Sequence, residues 1–94
     1  MDTTTEELIF SVATLVRDAA AMGDATLAGD FDEARFRAQI IAAKADTGGH
    51  VDLAIAAAHL VVTLGPPGSL PGEGYGASML RLGDEFDRIG FTPL

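Results

Sequence analysis

The run from Leu53 to Leu64, LAIAAAHLVVTL, constrains this chain more than any other stretch, because within it only His59 and Thr63 are polar. A helix that is apolar on every side has to be enclosed by other elements. Twelve residues fall well short of the roughly 20 needed to cross a bilayer. The run therefore predicts a core helix over 50–64, wrapped by the rest of the chain or by a second copy. Its β-branched end, LVVTL, would also suit a strand. The alanine-rich lead-in and the lack of a convincing strand partner favour the helix.

Three further helices are expected around it. Thr3-Thr4-Thr5-Glu6-Glu7 holds two overlapping capping boxes, each able to satisfy free amides at a helix start. Leu8, Val12, Leu15, Ala19 and Met22 then recur at spacings of four and three, and Gly23 supplies a stop, so the first helix is placed at about 4–22. Asp30 as cap, with acids at Asp32 and Glu33, starts a second helix over about 31–45. That helix carries two apolar stripes, one of Phe31, Ala34, Ala38, Ile41, Ala42 and Ala45, the other of Phe36, Ile40 and Ala43. The alanines suit close packing within the subunit, which leaves Phe36 and Ile40 under a loop or on a partner. Thr47-Gly48-Gly49 turns the chain into the core helix. A last helix over about 77–89 has Met79, Leu82, Phe86 and Ile89 on one stripe, with Gly90 as its left-handed cap and Phe91 folding back on Phe86. The fold class is thus all-α: four main helices in a compact antiparallel bundle, the third central, forming one domain over 1–94.

Between the last two helices lies GPPGSLPGEGYG, residues 65–76, with five glycines and three prolines. It cannot continue a helix and is long for a connection in a small bundle. Leu70 and Tyr75 are its natural anchors, whether it acts as a lid over a ligand or as a spacer across the core.

The composition removes several function classes. With a net charge of −8, from six basic and fourteen acidic residues, the chain is repelled by phosphate backbones and anionic lipid, so neither nucleic acid nor membrane is an expected partner. No cysteine is present, which excludes disulfides, thiolate nucleophiles and zinc–thiolate sites. The acidic start at Asp2, Glu6 and Glu7 is unlike a secretory or organelle leader, and a cytoplasmic location is the expectation. His50 and His59 stand nine residues apart, roughly 13.5 Å along one helix, too far to share a metal ion. No metal site and no cofactor are therefore predicted. Nearly every Asp and Glu falls at a cap or on a polar face, so no catalytic residue is assigned and an enzyme is not favoured.

Short resemblances supply the alternatives. Ala58-His59, an aliphatic run and Gly65 resemble the motif of histidine phosphotransfer domains, which implies phosphorylation at His59; Val62 stands where those domains carry Lys. Otherwise His59 is a buried or half-buried histidine bonded to a neighbour. Leu64-Gly65 with Ser69-Leu70 resembles the attachment site of acyl carrier proteins, which implies a pantetheine on Ser69; Gly68 replaces their Asp, and Pro71-Gly72 lies where their next helix begins. Leu27 to Ala34 resembles the middle of a tetratricopeptide hairpin, a match that fails after Gly65. Gly72-Glu73-Gly74-Tyr75-Gly76-Ala77 matches a dinucleotide fingerprint, but without the strand–turn–helix unit that makes such a loop bind.

The mean hydropathy, positive at +0.26, points to more apolar surface than one small core consumes. The functional expectation is a protein–protein interaction or regulatory module, partnered by itself as a homodimer or by another protein. Phe10, Phe36 and Ile40 are its candidate contact residues. The alternative is a carrier or phosphotransfer domain modified at His59 or Ser69.

Overall fold

The computed structural model describes residues 3–89, with side chains from Val12 onward. Its four helices are α1 (Thr3–Leu27), α2 (Phe31–Thr47), α3 (Val51–Leu64) and α4 (Tyr75–Arg88), and the described residues hold no strand. Helices pack most extensively on their neighbours in chain order, α1 on α2, α2 on α3 and α3 on α4. Both α2 and α3 thereby have a helix on each side. The molecule is elongated, 45 × 23 × 20 Å, and the 25 residues of α1 span about 37 Å at 1.5 Å per residue, most of that length.

The first two connections use the same device. After α1, the Gly29 amide donates to Thr26 and the Asp30 amide to Ala25; after α2, the Gly49 amide donates to Asp46 and the His50 amide to Ala45. Each is a Schellman turn whose left-handed residue is a glycine, at φ +75° for Gly29 and +79° for Gly49, a region where a Cβ would be strained. The residue after each glycine becomes the N-cap of the next helix. Helix, glycine and cap thus follow one another without slack, and each pair folds into an antiparallel hairpin.

Gly23 does not end α1, contrary to expectation. A mid-helix glycine costs about 1 kcal/mol relative to alanine, and burial of Ala25 against the core, together with the Schellman bonds, offsets that cost. Likewise α4 begins two residues earlier than predicted, at Tyr75, with Gly74 left-handed at φ +87°. The predicted cap at Gly90 and Phe91 lies outside the described residues.

The core is built from small and medium side chains. Ala34, Ala38, Ile41 and Ala45 of α2 are fully buried, and they face Leu15, Met22 and Ala25 on one side and Leu53, Ala56, Ala57, Leu60 and Leu64 on the other; Leu82 and Phe86 close the far end. The alanines let the helix axes approach, as the first α2 stripe predicts.

One expectation about α3 has to be corrected. It is central in the sense of lying between α2 and α4, yet it is not enclosed on every side. Leu53, Ala56, Ala57, Leu60 and Leu64 are buried, whereas Val51, Ile55 and Val62 are 63%, 52% and 75% exposed. Helices on two sides leave part of the circumference uncovered, so an apolar sequence on all sides leaves one stripe facing out.

Candidate functional site

The open stripe of α3 consists of Val51, Ile55, Ala58 and Val62, all exposed and separated by four, three and four residues. Beside it, between α2 and α3, runs a groove of about 580 Å³ lined by Ala42, Ala43, Ala54, Ile55, Ala58 and Val61, with Val51 at its edge and Gln39 and Asp46 as its polar members. Its floor is low because alanines stand where larger residues would fill it. On α2 apolar residues continue from Ala43 through Ile40, half-buried, to Phe36, 52% exposed and about two turns away.

The Phe36 ring is held in place from behind. The Arg37 guanidinium carbon lies 5.8 Å from its centroid, within cation–π range. Arg37 is itself fixed by Glu33 at 2.9 Å and by Asp18 of α1 at 3.1 Å. Asp18 also pairs with Lys44 at 2.6 Å and is nearly buried. Asp18, Arg37 and Lys44 together form a polar seam between α1 and α2.

A second polar cluster secures the glycine- and proline-rich segment. Arg35 is only 4% exposed. Its Nε and one terminal nitrogen donate to the Leu64 carbonyl at 3.1 and 2.8 Å, and the same terminal nitrogen donates to the Ser69 carbonyl and, at 3.3 Å, to Ser69 Oγ. Its other terminal nitrogen reaches Asp32 at 2.6 Å, and Asp32 accepts the Gly68 amide at 2.9 Å. A guanidinium at the end of α3 supplies donors to carbonyls that the helix leaves free and complements its dipole. The Gly68 amide first and Arg35 second hold the Asp32 carboxyl below the usual carboxylate range. Further on, the Gly72 amide donates to the Thr63 carbonyl at 2.8 Å.

The loop is therefore folded back onto the end of α3, and none of its residues lines the groove. Leu70, expected as an anchor, is 85% exposed; Arg35 and Asp32 do the anchoring. Tyr75 packs edge-on against Phe31 with ring centroids 6.0 Å apart. Ser69 donates its hydroxyl to Pro66 and lies against Arg35.

His59 projects from α3 on the α4 side of the open stripe and is exposed. Its Nδ1 lies 3.1 Å from Oγ of Ser78, which is buried in α4. His50, at the N-cap of α3, makes no side-chain capping bond, and among the described residues its buried Nε2 has no partner. Phe10 lies outside the residues whose side chains are described. Among the described residues no three His, Cys, Asp or Glu side chains are grouped to hold a metal ion, and no helix is long and apolar enough to cross a membrane.

Val51, Ile55 and Val62 are the surface residues that sequence reading misses. The signal was present in their spacing, but they were assigned to a helix expected to be covered. Comparison with protein-family models, characterised proteins and solved structures finds no match.

Proposed function

We propose that this chain is a protein–protein interaction module that works as a homodimer through the α2/α3 face. The observation that carries the reading is the open stripe of α3 beside its groove: an apolar surface, built on two rigid helices, that a lone chain leaves in water. At 17 and 14 residues, α2 and α3 are about 25 and 21 Å long and their axes lie roughly 8–10 Å apart, giving a face of about 25 × 20 Å. That is about 500 Å² in plan, which side-chain relief brings near the roughly 600 Å² per partner at the lower end of stable interfaces. Only Asp46 among the groove residues is charged, whereas the whole chain carries −8. Two acidic copies therefore meet little like charge at this groove.

Sedimentation velocity across the micromolar range tests this. The expected species has twice the chain mass and tightens as salt screens the repulsion between copies. Ile55→Glu is expected to yield a folded monomer, while Leu80→Glu, on exposed α4 surface away from the groove, leaves the dimer intact. A wild-type chain that stays monomeric overturns the reading.

A second reading is supported by one observation. His59 is exposed while its Nδ1 is engaged by Ser78, which would leave Nε2 as the nitrogen available to accept a phosphoryl group. Intact mass after incubation with a small-molecule phosphodonor tests it, and an unchanged mass removes it.

A further inference from the structure

Resting on the homodimer reading above, we infer that two copies meet α3 against α3, antiparallel about a two-fold axis passing between residues 56 and 57. The open stripe is its own complement. Its spacings of four, three and four residues read the same from either end, so reversing one helix sets Val51 opposite Val62 of the second copy and Ile55 opposite Ala58. Each of these pairs forms twice.

In heptad terms the four residues occupy d, a, d and a, the two positions that make up a coiled-coil seam. Size agrees with register: the bulky Ile55 meets the small Ala58, and the two valines meet each other at the ends. A parallel arrangement would instead stack Ile55 on Ile55 and leave a gap at Ala58.

The flanks agree as well. A two-fold axis perpendicular to the helices keeps each side of α3 on the same side in both copies, so the groove toward α2 faces the groove of the second copy. Phe36 and Ile40 are brought to that interface, where the alanine floor of the groove leaves room. On the other flank, Asp52 and His59, both exposed, lie on the edge of the seam and come near His59 and Asp52 of the second copy. No like-charged pair is created along the seam.

The chain lacks cysteine, so engineered thiols report only on contacts between copies. Val51→Cys and Val62→Cys are at positions 63% and 75% exposed in the single chain. In the antiparallel register the two Val62 positions of a dimer are about 16 Å apart along the axis, beyond the reach of a disulfide. Mixing the two variants and oxidising mildly is expected to give a covalent heterodimer linking 51 to 62, while each variant alone gives none. A Val62→Cys chain that links to itself, or a mixture that fails to link while sedimentation shows a dimer, overturns the register and leaves the homodimer standing. Sedimentation showing only monomer overturns both.

Discussion

Replacing Arg35 with Met keeps most of the aliphatic stem that fills the space between α2 and the loop and removes every donor. The Leu64 carbonyl loses two hydrogen bonds and the Ser69 carbonyl one, all from a nearly buried guanidinium. Leaving a buried acceptor unsatisfied costs about 1–3 kcal/mol. Two such groups set an upper range of about 2–6 kcal/mol. The loop can lift and admit water, and the cost of burying the guanidinium is recovered, so the lower end applies, about 2 kcal/mol. Asp32 adds little, since its side chain is 64% exposed and is left solvated. For a domain of this size the loss corresponds to a fall in Tm of about 8–16 °C. Urea denaturation measures the stability, and amide hydrogen exchange locates it. The Gly68 and Gly72 amides, which donate to Asp32 and to Thr63, should lose protection before the amides of α2 do. Stability within about 0.5 kcal/mol of wild type, with both glycine amides still protected, would refute the idea that Arg35 holds the loop.

Three other perturbations test separate contacts. His50→Asp is expected to stabilise by about 1 kcal/mol, because His50 has nearly the backbone angles of Asp30, φ −86° and ψ 74° against −89° and 78°, yet makes no capping bond where Asp30 accepts the Glu33 amide; an unchanged denaturation midpoint counts against it. In Gly72→Ala the new Cβ would sit 2.9 Å from the Thr63 carbonyl oxygen that the Gly72 amide already bonds, a loss of about 1–3 kcal/mol, whereas Gly83→Ala meets open space within α4 and should gain up to about 1 kcal/mol; two changes of the same sign would contradict this. The depressed pKa of Asp32 makes its contribution complete above the unfolded-state value of about 3.9 and lost as pH falls through the lower folded value. Its bond to Gly68 should therefore persist at pH 5, and a Gly68 amide resonance that titrates above pH 4.5 would show that the carboxylate is not held.

What was legible in the residues was local. Apolar periodicity placed all four helices, and the alanine stripe of α2 picked out its buried face, because a helix projects its sequence onto its surface by a fixed rotation. The end of α1 was not legible: Gly23 and Gly29 are equal as punctuation, and the choice between them rests on Ala25 finding the core and on bonds closed around Asp30. Arg35 and Asp18 were hidden for a related reason. A charged side chain is buried only where its partner waits, and the partners here, the last carbonyl of α3 and two cations on α2, are 29, 19 and 26 residues away. The exposed stripe of α3 shows the converse case. Its residues are as apolar as those facing inward, and only the number of neighbouring helices decides which side stays open.

That each helix rests chiefly on the one before it has a kinetic consequence. Contacts between elements adjacent in the chain form without waiting for distant segments to find each other, so the hairpins of α1 with α2 and α2 with α3 can assemble early and quickly. The last helix arrives after the connection 65–74, the longest among the described residues. After a cut in that connection only side-chain contacts, chiefly those of Leu82 and Phe86 in the core, would keep α4 on α3, and their loss would bare a second apolar side of α3, the kind of surface on which chains pile up.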